Sequence, residues 1–372
     1  MTSKHQLLNF LQPLVFGSFI NVVGLMIQNR VDEAFIPRAI LVSLISFLTA
    51  PLRLLERLHY GWRVKRSKIS DPPIFIIGHW RSGTTHLHNL MCQDENLIGV
   101  STLQTIAPEM YFIGDKTIKS IAERILPPTR LMDNMAWSMD SPQEEEFAIA
   151  NMSPYSFYHH WTFPRKARYY FEKYALFNEV PKKVIAKWKE IYVSILTKAG
   201  LHKGGKRLVI KNPTNTGRIK VLLELFPNAK FIHIYRDPYR VYLSTKHLYR
   251  KTLPITQLQE ISDAETEDNI LLFYKELMQR YLADKELIPP ENLVEVKFES
   301  LEENPVEELQ RIYEQLGLPG FEMAKAVFQS YMYARADYQK NQYEGLDQDL
   351  IAKVNRHWGF AFEAWAYQKL AT

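Results

Sequence analysis

The chain has one cysteine in 372 residues, Cys92, so it can form no intramolecular disulfide and no cysteine-based zinc site. That usage suits a reducing compartment, and a cytoplasmic location is expected. No dense block of lysine and arginine is present, and a net charge of +5 is mild for this length, which argues against a nucleic-acid binder. A small anionic ligand needs only a few local cations. No low-complexity tract or repeat of roughly 20–50 residues is visible. With hydrophobic residues at 46% and aromatics at 13%, the chain can bury a sizeable core.

A clean membrane span is also missing. Residues 10–28 are largely apolar but contain Gln12, Pro13 and Asn21, and residues 39–50 form a second, shorter apolar run. No small-residue cleavage pattern follows a charged start, so a secretory signal is not expected. A basic cluster comes next: Arg53, Arg57, Arg63, Lys65, Arg66 and Lys68. Two arrangements fit. Residues 1–70 could rest on anionic lipid as an interfacial segment, peripheral on the inner membrane face, or pack as hydrophobic helices on the catalytic domain. Composition shifts at Ser70-Asp71-Pro72-Pro73, which divides the chain into an apolar helical segment, 1–70, and a catalytic domain, 71–372.

Beyond that boundary, short apolar strands alternate with helical stretches. Strands are expected at 74–77, 207–211, 230–235 and 293–298, each followed by a helix; Asn304, Pro305 and Gly317 mark the cap, first turn and stop of the last one. Repetition of strand then helix gives an α/β fold with a parallel sheet flanked by helices, a three-layer α/β/α arrangement with an N-terminal helical appendage.

Directly after the first strand stands Gly78-His79-Trp80-Arg81-Ser82-Gly83-Thr84-Thr85, opening a helix. In that position a glycine loop cradles phosphate, because backbone N–H groups and the positive helix end point at the anion. The spacing matches a nucleotide-hydrolysing loop, but Thr84 occupies the lysine slot. The cation has moved to Arg81, before Ser-Gly, where it can reach a transferred group instead.

This loop resembles the 5′-phosphosulfate motif of the sulfotransferases that use 3′-phosphoadenosine-5′-phosphosulfate (PAPS), in a bacterial-type branch with Gly-x-x-Arg-Ser-Gly-Thr-Thr. The resemblance implies a P-loop-like fold and transfer of a sulfuryl group from PAPS to an acceptor hydroxyl, releasing 3′-phosphoadenosine 5′-phosphate without a metal. Gly78, Arg81, Ser82, Gly83, Thr84 and Thr85 would then hold the 5′-phosphosulfate. The family also places an arginine at a strand end and a serine eight residues later for the 3′-phosphate, and Arg236 and Ser244 meet that spacing. A late basic segment that closes over the nucleotide in relatives would correspond to Lys340 and Asn341.

The catalytic base departs from the cytosolic pattern Lys-Thr-His, since the segment here reads Lys211-Asn212-Pro213 and has no histidine. Other branches use a glutamate, which makes Asp140-Ser141-Pro142-Gln143-Glu144-Glu145-Glu146 the obvious source. Glu144 is the first candidate and Glu146 the second, while Ser141 and Glu144 could instead form a capping box. His159 and His160, in an aromatic-rich stretch suited to an acceptor-pocket wall, are the fallback. The expected acceptor is a small-molecule or lipid hydroxyl, amphipathic or lipophilic (a sterol or lipid alcohol) rather than a free simple sugar, with a carbohydrate hydroxyl as the alternative. Two other readings compete: a P-loop kinase or NTPase, and a membrane-associated nucleotide-binding protein without turnover.

Overall fold

The computed structural model describes residues 14–125, 129, 135–335 and 345–371. It divides into two compact units. The first contains Met1–Asp71, Gly99–Lys206 and Arg250–Ser262, and the second Pro72–Ile98, Arg207–Tyr249 and Asp263–Thr372. Residues 1–70 therefore cluster with segments that follow the first strand.

The second unit carries the sheet. Its strands are β1 (Ile74–Ile77), β2 (Leu97–Ile98), β3 (Arg207–Lys211), β4 (Lys230–Tyr235) and β5 (Leu293–Lys297). They lie in the order β2-β3-β1-β4-β5 with every pairing parallel. β2 is the strand that sequence reading missed, because two residues are too few to show a period. All four residues of β1 are buried, as a central parallel strand covered on both faces requires. Ile74 and Ile76 join Leu87, Leu90, Val294 and Ile312 in a single apolar cluster, whereas Phe75 faces Phe226 and Phe231 at ring separations of 6.0 and 5.5 Å.

Helix ends follow local chemistry. Asp237 caps Pro238–Thr256, its Oδ1 accepting the Arg240 N–H at 3.0 Å. Pro305–Gln315 ends where Gly317 adopts φ +59°, with the Leu318 N–H on the Tyr313 carbonyl at 2.8 Å and the Gly317 N–H on the Glu314 carbonyl at 3.2 Å.

The first unit is helical. Phe19–Asn29, Ile36–Leu48 and Ala50–Arg66 are bonded into it: Asn21 donates to the Met152 carbonyl, Ser46 to Gly17, and Arg38 to Gln257. Glu56 is buried, 2.5 Å from Lys198 Nζ, and its other oxygen accepts the Phe112 N–H at 2.8 Å, at the start of the helix Tyr111–Ile125. Arg53, expected among the lipid-facing cations, is instead buried. Its guanidinium donates to the Ser46 carbonyl of the preceding helix Ile36–Leu48 and to the hydroxyl of Thr49, the residue just before its own helix.

Candidate functional site

Within the second unit, the parallel strands bring the ends of β3, β1, β4 and β5 to one edge, and with them Lys211, Gly78, Arg236 and Phe298. The helix after β1 leads to β2 on one side of the sheet, and the helix after β4 leads toward β5 on the other. The loops after β1 and β4 thus flank the point where strand order reverses, which is where open α/β sheets bind ligands.

The loop after β1 is wound tightly. Gly78 (φ +140°), Arg81 (φ +71°) and Gly83 (φ +98°) all take positive φ. Left-handed backbone is uncommon for arginine and costs of order 1–3 kcal/mol, so the surroundings must enforce it. They do so from both sides. The Gly78 N–H donates to the Thr216 hydroxyl at 2.8 Å while that hydroxyl donates back to the Gly78 carbonyl at 3.0 Å. Ser82 turns its hydroxyl inward to the carbonyls of His79 (2.7 Å) and Ile234 (3.0 Å) and its N–H to the His79 carbonyl (3.2 Å), so it braces the loop just before the helix Thr84–Met91, which Gly83 opens. A Cβ on Gly78 would sit 2.3 Å from the Ile234 carbonyl oxygen, and one on Gly83 would sit 2.2 Å from the Phe298 ring.

The two expected phosphate stations are linked. Arg81 Nε donates to Ser244 Oγ at 2.8 Å, and Arg236 Nη1 lies 3.4 Å from the Arg81 carbonyl. Arg236 also stacks its guanidinium over Phe298 at 4.2 Å. Phe298 therefore packs on Gly83 and Arg236 together. Sequence reading found neither Phe298 nor Thr216: both act from elements distant in the chain, and nothing local to them signals it. Lys211 is buried at the end of β3, and burial together with its charge holds His88 down at about 3. His79 is likewise held at about 3 by burial, its ring N–H meeting the Trp80 carbonyl.

A model of the Sulfotransferase family matches residues 72–323. The chain belongs to the sulfotransferase family. Over 360 residues it is 35% identical to the omega-hydroxy-beta-dihydromenaquinone-9 sulfotransferases Stf3 of Mycobacterium bovis and Mycobacterium tuberculosis, covering 96% of this chain and 92% of each relative. Its fold is that of sulfotransferase STF9 from Mycobacterium avium, at TM-score 0.70 and 16% identity over 95% of this chain and 97% of that one. Sulfotransferase STF1 from Mycobacterium tuberculosis is also similar, at TM-score 0.59 and 16% identity, with 92% of each chain covered. The sheet flanked by helices is the P-loop-like fold of these enzymes, and the chain is a sulfuryl-transferring enzyme.

The candidate bases of this sulfotransferase lie in its first unit. Glu144 is half-buried in the turn before the helix Glu146–Met152, and the Tyr158 hydroxyl donates to its Oε2. The capping box considered for Ser141 and Glu144 is absent: the helix starts two residues later, and Ser141 Oγ accepts the Ser138 N–H instead. A full capping box does occur at Ser101 and Gln104. Glu145 is buried and accepts from the Tyr192 hydroxyl at 3.0 Å. Glu146 is fully buried and accepts from Ser156 Oγ at 2.7 Å and the Phe157 N–H at 3.0 Å.

His159 and His160 are in the core. Burial holds them at about 4 and about 3, their ring nitrogens contact the carbonyls of Ser153 and Phe157 at 2.9 Å, and His160 stacks on Phe157 at 4.1 Å. Lys340 and Asn341 lie outside the described residues. Among the described residues, no group of three or more His, Cys, Asp and Glu side chains is placed to hold a metal.

Proposed function

We propose that this sulfotransferase uses PAPS as donor and a hydroxyl on a lipophilic molecule as acceptor. The observation that carries the donor is the linked pair of cationic stations flanking the strand-order reversal, a glycine-lined loop with Arg81 on one side and Arg236 with Ser244 on the other. The fit to a phosphosulfate is good. Glycine at 78 and 83 lets the loop pack against the Ile234 carbonyl and the Phe298 ring and so wind tightly, with its amides at the helix start available to an anion.

In this reading the backbone N–H groups of Gly83, Thr84 and Thr85 bind the 5′-phosphosulfate, Gly78 and Ser82 shape the loop through their bonds to Thr216 and His79, and Arg81 steadies the charge that builds on the leaving phosphate. Arg236 supplies a planar fork for the 3′-phosphate, beside Ser244. Lys211 adds positive charge at the end of β3. In the transfer, a bond forms between the acceptor oxygen and sulfur, the bond from sulfur to the 5′-phosphate oxygen breaks, and 3′-phosphoadenosine 5′-phosphate leaves. Glu144 takes the acceptor proton; its carboxylate is steadied by Tyr158. The hydrogen bonds of Glu146, His159 and His160 favour a framework role for those three. Positive charge supplied by side chains and amides predicts turnover that survives EDTA. A nucleotide donor is consistent with work at a cytoplasmic face.

For the acceptor, support comes from the relatives named for a hydroxylated menaquinone derivative, a lipophilic molecule of the class expected from sequence. Arg236→Ala should weaken PAPS binding by roughly 1.5–3 kcal/mol and leave adenosine 5′-phosphosulfate, which lacks the 3′-phosphate, unaffected. Equal losses for both nucleotides would remove Arg236 from the 3′-phosphate, and tight binding of ATP-magnesium with none of 3′-phosphoadenosine 5′-phosphate would favour an NTPase. Turnover of labelled PAPS with quinone and polyprenyl alcohols but not with free sugars is the outcome expected for the acceptor.

A further inference from the structure

In the helix Ala50–Arg66 the usual distribution is reversed. Its buried residues are the charged Arg53 and Glu56, while Leu54, Leu58 and Trp62, one turn apart along a single stripe, are 58%, 66% and 60% exposed. The preceding helix Ile36–Leu48 shows a matching stripe, with Ile40, Leu44, Phe47 and Leu48 exposed and Ala39, Val42 and Ser46 buried. Between it and the helix Phe19–Asn29 runs an apolar groove of about 480 Å³, whose walls include Phe19, Met26, Ile36 and Phe47. Exposed apolar stripes grouped beside an apolar groove mark an interaction surface.

Exposed charge on the helix Ala50–Arg66 has one sign, and Glu33 is the exposed acid at the head of the helical stretch Glu33–Arg66. In the helix Ala50–Arg66 the exposed ionic residues are Arg57, Arg63, Lys65 and Arg66, followed by exposed Lys68; the helix's single acid, Glu56, is buried against Lys198. The Arg66 guanidinium sits 5.6 Å from the Trp62 ring, pairing an aromatic body with a cationic tip as interfacial anchors do.

The helical stretch Glu33–Arg66 is long and apolar enough to cross a membrane by length and composition. Crossing would strip Glu56 from Lys198 and from the Phe112 N–H, and Arg53 from its carbonyl partner, leaving both charges bare in hydrocarbon. Lying flat leaves every one of those bonds in place.

We infer that the helices Phe19–Asn29, Ile36–Leu48 and Ala50–Arg66 form a docking face for an anionic lipid bilayer, with the leucine and isoleucine stripes in the acyl region and the basic residues among the headgroups. The inference stands on this surface alone and does not rest on the donor or the acceptor proposed above.

The test is sedimentation of the full chain with vesicles of phosphatidylglycerol and phosphatidylcholine, against vesicles of phosphatidylcholine only. Binding is expected to the anionic vesicles and to weaken with salt, and Trp62→Phe should remove a blue-shifted emission component that appears on binding. Ile40→Ser, Leu44→Ser and Phe47→Ser together should cut partitioning by at least about tenfold. Arg57→Glu, Arg63→Glu and Lys65→Glu together, all exposed positions that do not threaten folding, should cut it by about a hundredfold. Sulfation of a water-soluble alcohol by folded variants should not change. The proposal fails if the protein ignores both vesicles, if it binds them equally without salt dependence, or if the face proves to be a dimer contact that the serine variant dissolves in lipid-free solution.

Discussion

The loop after β1 and the helix Ala50–Arg66 each break a local folding rule, in opposite ways. In the loop the backbone is strained and an arginine is left-handed, yet every side chain nearby is arranged to hold it so. In the helix the backbone is ordinary and the side chains are inverted, with charge inside and leucine outside. Strain in a backbone is kept where a ligand needs amides in fixed positions. Inversion of polarity is kept where the surroundings are something other than water. The first departure is written within eight consecutive residues; the second depends on Lys198, 142 residues from Glu56.

The largest effect should come from undoing the inversion's inner side. Glu56→Ala leaves Lys198 buried without its carboxylate and should cost about 3–5 kcal/mol of stability, seen as an earlier urea midpoint. Glu56→Gln with Lys198→Met should recover most of it, because burying no charge is often as stable as burying a pair. Turnover per folded molecule should be normal in both. A loss of turnover without loss of stability would mean that the helix serves the chemistry.

Breaking the loop should do the reverse. Arg81→Ala removes an electrostatic stabiliser and should lower turnover by about 10²–10³, or about 2.7–4 kcal/mol. The melting temperature should hold or fall slightly, since alanine at φ +71° keeps the backbone strain and the buried Ser244 hydroxyl loses its bond from Arg81. Near-normal turnover would remove Arg81 from the transfer.

That contrast also explains what could be read from sequence. The glycine loop after β1, Arg236 at the end of β4, Ser244 eight residues on and the Asp237 cap are set by short-range spacing, and the structure brings them to one sheet edge. Thr216 and Phe298 were not legible, because a threonine in a buried turn and a phenylalanine after a strand look like packing until the partner loop is known. On the interfacial arrangement every cation of the basic cluster faces lipid, but whether an arginine points out or in depends on the carbonyls within its reach, and Arg53 points in.

A smaller, shared effect should appear in acid. Burial holds His79 and His88 at about 3 in the second unit, and His159 and His160 at about 4 and about 3 in the first. Their folded pKa values lie below the unfolded value near 6.5, so the unfolded chain binds protons first as pH falls. Stability should be flat above about pH 6.5 and fall below it, by about 1.4 kcal/mol per pH unit for each histidine, until the folded values are reached. Urea midpoints at several pH values measure this. A midpoint indifferent to pH between 6.5 and 4.5 would mean that these imidazoles are not shielded as described.

The smallest effect sharpens the loop itself. Ser244 stands where the 3′-phosphate is expected, but its oxygen accepts from Arg81 Nε at 2.8 Å, so it can act on the donor directly or through Arg81. Ser244→Ala should raise the donor KM by roughly two- to tenfold, in line with about 0.5–1.5 kcal/mol for one hydrogen bond. The two routes separate with adenosine 5′-phosphosulfate. A serine that reads only the 3′-phosphate loses nothing with that nucleotide, whereas a serine that aims Arg81 loses the same factor with both. The cycle of Arg81→Ala, Ser244→Ala and the double variant decides further, because residues in contact should couple by more than about 0.5 kcal/mol. Additive losses would mean that the Arg81–Ser244 bond gives way when the donor binds, leaving the serine to the 3′-phosphate and the arginine to the sulfuryl group.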